Sequence, residues 1–336
     1  MSPQDPRKAL TRRRFGQLSA AVLAPSLGAM GSAFAQGASF PTRPVRIVLP
    51  FPPGAVNDLV LRLLGERLAQ RWGQAVMVEN KPGGGTIIGT DTVAKAAPDG
   101  HTLLANVSSI VQNPWLRKKL PYDTQKDLTP VTQINRQQLL VVVRGNLPVK
   151  SYTELIAHAK ANPGKLNFAT FGIATTPHMI HEMTRHETGA QMVHVPYRGS
   201  QEIMKALLTN EADVAVSDLL TPSQYFADGR IRPIAVTGPE RAVELPQVQT
   251  LKEAGVSGFD RFGWLGLFAP GGTPAPILRQ IAADLAAVQA EPALAKRFAE
   301  MMVHPVSDTP EQFKQVVTQD LALWGQVIKT IGVSLD

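Results

Sequence analysis

Cysteine is absent from all 336 residues. That one absence removes disulfides, thiolate metal sites, a cysteine nucleophile and a lipid-bearing N-terminal cysteine. Charge is sparse too: 18% of residues are charged against 44% hydrophobic, a balance that belongs to a folded globular chain and excludes a disordered one. The formal excess of +7 is unevenly spread. Arg7, Lys8, Arg12, Arg13 and Arg14 against Asp5 put +4 into residues 1–35 and leave +3 for the rest, too mild an excess to argue for nucleic acid or an anionic membrane surface. Beyond the leader no stretch approaches the ~20 apolar residues of a membrane span. Signatures of covalent catalysis are missing as well: there is no G-x-S-x-G and no Ser-x-x-Lys with matching partners.

The first 35 residues read as an export signal. TRRRFGQ, residues 11–17, has the twin-arginine pattern with Phe15 next to the arginines. A weakly apolar Ala/Leu/Ser/Gly stretch follows, and Ala33-Phe34-Ala35 supplies small residues for a signal peptidase. Pro25 and the interspersed Gly and Ser argue against a membrane anchor. The expectation is cleavage near Ala35/Gln36 and a soluble periplasmic product.

What is present is 27 Pro and 27 Gly without a period, hence many turns between short elements. Residues 46–49 form a buried apolar strand; Pro50, Pro52, Pro53 and Gly54 stop it, and Asn57 is a candidate N-cap with Asp58 in the first helical turn. Leu59, Leu63, Leu64, Leu68 and Trp72 recur at helical spacing. Strand, loop and helix start make a pocket edge that favours an anion. A second strand at 76–79 enters Gly83-Gly84-Gly85-Thr86, which is neither a P-loop nor a dinucleotide fingerprint. Its glycines either offer N–H groups to a ligand or form a plain turn. A third strand at 102–105 ends in Asn106, Ser108 and Ser109, at the edge where open α/β sheets bind ligands. Three such passages imply a parallel sheet faced by helices. The grammar restarts after a strand at 139–143: helix 152–161, strand 166–170, a loop carrying Gly172, Ala174, Thr175 and Thr176, and a helix 179–188. Alternation continues through strands at 193–195, 214–217, 234–236 and 264–268, and helices close the chain at 276–289, 293–302 and 310–331. No close sequence repeat links the halves.

PFPPGAVNDLVLR, ENKPGGGTIIGTDTVAKAAPDGHTLL, GIATTPH, VPYRGS and LPQVQTLKEAGV resemble, in order, motifs of the Bug family, periplasmic solute-binding proteins of tripartite tricarboxylate transporters. The resemblance covers essentially all of the mature chain. It implies an α/β fold of two α/β domains joined by crossing strands, like a type II periplasmic binding protein, with a small carboxylate in the cleft between them. The domains would be 36–138 plus 262–336 and 139–261. Three positions depart from the family pattern: Gly54-Ala55-Val56-Asn57-Asp58 where a Gly pair and a Thr precede the Asp, Gly83-Gly84-Gly85-Thr86 where a G-A-G-G-like run is usual, and Gln249 in place of a Pro.

A rival reading is a periplasmic metal-dependent enzyme using His178, His181 and Glu182. The zinc-protease spacing fails, because the next histidine follows His181 by five positions, about 140° round a helix. His178 is therefore expected in the pocket wall. Asp218 ends a strand and either selects a polar ligand group or is a solvated loop acid. Arg198, beside Tyr197, is a carboxylate fork or a surface residue. Trp264 is hinge packing or a ligand wall. The resulting expectation is a non-catalytic, cofactor-free, metal-free monomer. Its ligand set is Pro53, Gly54, Ala55, Asn57, Asp58, Thr86, Asn106, Ser108, Gly172, Ala174, Thr175, Thr176, His178, Tyr197 and Asp218. Its partners are a small-molecule carboxylate and the membrane subunits of a tripartite transporter, or else a sensory receptor; nucleic acid is not among them.

Overall fold

Residues 40–335 are described in a computed structural model; the leader and its cleavage point lie outside them. In chain order the elements are β1 Val45–Leu49, α1 Val56–Trp72, β2 Val76–Asn80, α2 Ile87–Ala94, β3 Thr102–Val107, α3 Ser109–Leu116, β4 Leu128–Gln137, β5 Leu140–Arg144, α4 Tyr152–Ala161, β6 Asn167–Thr170, α5 Thr176–Thr188 and β7 Val193–Pro196. There follow α6 Ser200–Leu208, β8 Val214–Ser217, α7 Leu220–Ser223, β9 Ile231–Val236, β10 Gly263–Pro270, α8 Ala275–Gln289, α9 Pro292–Glu300, β11 His304–Pro305 and α10 Pro310–Ile331.

These strands make two sheets, ordered β11-β4-β10-β3-β1-β2 and β7-β6-β8-β5-β9. The molecule is thus a mixed α/β protein of two α/β halves. In the first sheet β1 is parallel to β2 and β3, with Ile47 opposite Val78 and Leu103. Val45, Ile47, Val48 and Leu49 are all buried, as a strand covered by helices on both faces requires. The crossing strand β10 runs antiparallel to both β3 and β4, so the sheet is mixed. Strand β4 is missing from the sequence reading because Pro130 interrupts its pattern. Pro130 sits opposite Phe268 next to a register shift, where a ladder hydrogen bond is already lost.

Helix α1 buries Val60, Leu61, Leu64 and Leu68, whereas Leu59, placed on the apolar stripe from spacing, is 41% exposed. The cap also differs: Ala55, not Asn57, is the N-cap, and no side chain caps it. Arg71 and Trp72 both donate to Asp284, tying α1 to α8. Phe313, Val317, Leu321, Trp324, Ile328 and Ile331 form an apolar stripe along α10 that is buried throughout. Its start is fixed by a reciprocal capping box between Thr309 and Gln312. Phe313 lies on Gly266 of β10, where a side chain would overlap its ring. Trp264 is fully buried here, edge-on to Phe313 at 5.2 Å and donating to Asp320 Oδ2 at 2.8 Å, which makes it core and not a ligand wall. One buried cluster joins Phe313, Trp324 and Ile328 of α10 to Met179 and Met183 of α5 and Val141 of β5, so α10 packs against both halves.

Candidate functional site

A cavity of about 310 Å³ lies where helices of both halves begin. The first edge is the β1–α1 loop. Gly54, at φ +86°, turns the chain so that its N–H points back to Asp58 Oδ2 at 3.0 Å. The Arg62 guanidinium forks onto both Asp58 oxygens at 3.0 and 2.9 Å, and Asn80 Nδ2 donates to Oδ1 at 2.9 Å. Burial pushes the Asp58 carboxyl up, but the hydrogen bonds from Arg62, Gly54 and Asn80 outweigh it and hold the group below its ordinary value. The N–H groups of Ala55, Val56 and Asn57 have no acceptor among the described residues. Asp58 and Gly54 thus brace the loop, and the three following amides are left unpaired among the described residues.

The second edge is the β6–α5 loop. Thr175 holds the N-cap position of α5, but its hydroxyl donates to Gly172 O at 2.7 Å and caps no helix amide. Thr176 Oγ1 accepts from Gln112 Nε2 at 2.9 Å, which leaves its hydroxyl proton free to donate. Gly172 N–H is taken by Thr170 Oγ1 at 3.3 Å and Ala174 N–H by His178 Nδ1 at 3.4 Å. The amides of Ile173, Thr175, Thr176 and His178 stay unpaired among the described residues, and Pro177 carries none. Two more helix starts complete the ring: α3 after Ser108, and α6 after Gly199, whose Ser200, Gln201 and Glu202 amides are also unpaired. Four positive helix ends at one cavity are an anion-binding arrangement.

Of the residues expected at the site, Pro53, Ala55, Asn57, Ser108, Thr175, Thr176 and Asp218 line the cavity. Gly54, Asp58, Thr86, Asn106, Gly172, Ala174, His178 and Tyr197 do not line it. Each of these has a different use. Asn106 is fully buried, donating to Thr90 Oγ1 at 3.0 Å and accepting from Val107 N–H at 2.8 Å. Thr86, at φ +79°, accepts from Asn113. Tyr197 packs against the core of the second half. Asp218 reaches the cavity with its oxygens already occupied: Thr221 N–H donates to Oδ1 at 2.7 Å, while Ser200 and Thr221 hydroxyls donate to Oδ2 at 2.7 and 2.9 Å. The triple-glycine loop contacts the opposite half instead of lining the cavity; a Cβ on Gly85 would come within 2.6 Å of Ile173 O.

Sequence reasoning expected crossing strands but missed the residues they bring to the cavity, Asn135, Gln137, Leu139 and Phe259, and also Ser200 and Leu220. The α6 start was findable, since Val195 to Ser200 repeats the strand–Gly–hydroxyl–helix order used at Thr175. Leu220 packs onto the core of the first half and Met302 onto that of the second, so apolar contacts cross between the halves.

Behind α5 lies a histidine cluster. His178 stacks on His194 at 4.3 Å, and His194 Nε2 is 2.6 Å from Thr170 Oγ1. Burial pushes His178 down to about 4, with Glu182 opposing that and His181 adding to it. Burial, then the neighbouring His178 and His181, push His194 down to about 3. Glu182 is held down at about 2, first by its hydrogen bond from His181 and then, against burial, by Arg185. Both His181 nitrogens are engaged, by Glu182 Oε1 and Met192 O, each at 3.0 Å. Among the described residues no group of three His, Cys, Asp or Glu is arranged to hold a metal ion.

Comparison with known proteins follows the same line. A family model described as tripartite tricarboxylate transporter family receptor matches residues 60–333. Protein BugT of Bordetella pertussis is 31% identical over 299 residues, which is 88% of this chain and 92% of that one. The structure of Rpa4515 from R. palustris, solved with adipate, superposes with a TM-score of 0.81 at 31% identity, covering 88% of this chain and 99% of that one. MatC (Rpa3494) from Rhodopseudomonas palustris, with bound malate, superposes at 0.78 with 28% identity, covering 86% and 100%.

Proposed function

The chain belongs to the tripartite tricarboxylate transporter receptor family, and from that membership we propose that it captures a small organic carboxylate in the periplasm and delivers it to the membrane subunits of such a transporter. The observation that carries this reading is the convergence of four helix starts, with unpaired amides, on one cavity. The adipate and malate complexes of two relatives support the ligand class. Among the described residues no helix is long and apolar enough to cross a membrane, so delivery falls to separate membrane subunits.

Capture works by closure. The halves turn about the segments near residues 138–139 and 261–262, and the chain acts as a monomer without catalysis, metal or cofactor. An open cleft admits the anion; closing brings the amides of 55–57 and of 175–176 onto it and removes water, which strengthens every polar contact. Neutral hydrogen bonds contribute about 0.5–1.5 kcal/mol each, and helix termini about 0.3–2. Half a dozen such donors, with apolar contact, reach the ~8 kcal/mol of a micromolar complex.

A thermal-shift and calorimetric screen over carboxylates tests capture. A ligand at 100 times its Kd adds about 2.7 kcal/mol of stability, a clear rise in Tm; no rise with any carboxylate refutes the proposal. Uptake of the identified ligand in cells with and without the transporter's membrane subunits tests delivery. Unchanged uptake without them would transfer the protein to a sensory role.

A further inference from the structure

The charge and wall chemistry of the cavity narrow the ligand. Three arginines line it, and two of them already have partners on the same wall. Arg136 lies over the Phe262 ring at 5.5 Å, and Arg261 pairs with Asp320 Oδ1 at 3.6 Å. Arg198 has its side chain exposed at the rim, while its own N–H is held by Glu202 Oε2 at 3.0 Å. Against these stand Glu202, Asp218 and Asp320, so the formal side-chain charge of Arg and acids around the cavity sums to zero. With side-chain charge balanced, net attraction for an anion falls to the helix starts at the cavity. A second carboxylate on the same ligand would have to lie among the three acids, or reach an exposed arginine where water and salt screen the attraction.

Apolar side chains from both halves make up much of the remaining wall, among them Phe51, Phe171, Leu220, Phe259, Met301 and Trp324. A small hydroxy-diacid would leave most of that wall without a partner. One buried polar side chain there is uncommitted: Asn135, 1% exposed, whose Oδ1 has no hydrogen-bond partner. It suits a single neutral polar group.

Resting on the carboxylate reading above, we infer that this receptor takes a monocarboxylate with an apolar body, aromatic or branched aliphatic, in preference to small di- and tricarboxylates. The carboxylate sits at the starts of α1, α5 and α6, and the body lies along the phenylalanines and Leu220.

Calorimetry on the full chain with benzoate, 3-phenylpropanoate, malate and adipate tests the inference. The expected result is that at least one aromatic acid binds at least about tenfold more tightly than either diacid, the scale by which apolar pockets discriminate. Malate or adipate binding as tightly as the better aromatic acid overturns the inference and leaves the carboxylate reading standing. No binding by these four or by any other carboxylate overturns both. Leu220→Asn is expected to weaken the aromatic acid by about tenfold or more. Arg198→Gln, at an exposed position that does not threaten folding, separates wall from charge. A change under about threefold fits the inference, and a loss of about tenfold or more means that a guanidinium anchors the ligand and overturns it.

Discussion

Acid should destabilise this protein well above the range in which carboxylates titrate, and the cause is the stacked pair His178 and His194. Burial pushes the two rings down from 6.5 to about 4 and about 3, helped by His181 for His178 and by His178 and His181 for His194, with Glu182 opposing at both, so both are neutral near pH 7. A group whose folded pKa is depressed below its unfolded value lets the unfolded chain bind the extra proton, so stability falls with falling pH. For a histidine the loss begins near 6.5 and ends only below the folded value. Two protons across the interval from 6.5 to 5 cost at most about 4 kcal/mol, at 1.36 kcal/mol per unit for each. Groups facing the pair are His181, Glu182 and Thr170; Glu182 titrates near 2, below the window. The measurement is denaturant unfolding of the ligand-free protein at pH 7.5, 6 and 5, followed by fluorescence and circular dichroism together. The double variant His178→Gln/His194→Gln removes the titrating rings and is expected to flatten the pH dependence, at some cost in stability at pH 7.5. A double variant that is folded yet loses stability as steeply as the wild type would refute the argument.

Asp58→Ala leaves Gly54 N–H, Asn80 and the Arg62 fork without their acceptor, so a loss of about 1–3 kcal/mol is expected by chemical denaturation, with a weaker ligand affinity following from the loosened loop. Gly85→Ala places a Cβ against Ile173 O at φ +64° and should weaken binding while leaving each half folded; affinity equal to wild type would show that the contact plays no part in closure. Saturating ligand should reduce the radius of gyration in solution scattering, and superposable curves would argue for a rigid cleft. Changing Arg12, Arg13 and Arg14 together to Lys should stop export at unchanged expression, since charge is kept and only the guanidinium groups are lost.

Much of the fold was legible because one grammar, apolar strand, small-residue loop, capped helix, generates it. The helix Tyr152–Ala161, the strand Val214–Ser217 and the helix Pro310–Ile331 begin and end where spacing and caps place them. The failures have local causes. Pro130 hides β4, and Pro114 hides α3, an eight-residue helix that carries it past the first turn, where Pro ordinarily breaks a helix. Helix α5 begins at Thr176, three residues before the reading from apolar spacing, because its first turn is Thr-Pro-His, which carries no apolar stripe residue and in which Thr176 serves the site and His178 the histidine cluster.

The site was legible only as far as loops announce themselves. Residue type marked both loops that offer amides, at 55–57 and 175–176, but gave no means of telling an outward group from a bracing one. Asp58 and Asn57 are adjacent and similar in kind. Asp58 turns inward to four donors from Gly54, Arg62 and Asn80, while Asn57 faces the cavity and takes a hydrogen bond from Gln137. The same holds across the cleft, where Gly172 and Ala174 spend their N–H groups on Thr170 and His178 while Ile173, between them, does not. Backbone donors have no letter in a sequence; they become visible only when every competing acceptor has been placed. That is why loop motifs disclose the family while the cavity itself has to be read from the fold. The walls come from segments far apart in the chain, Phe51, Phe171, Leu220 and Phe259, which only the folded chain assembles.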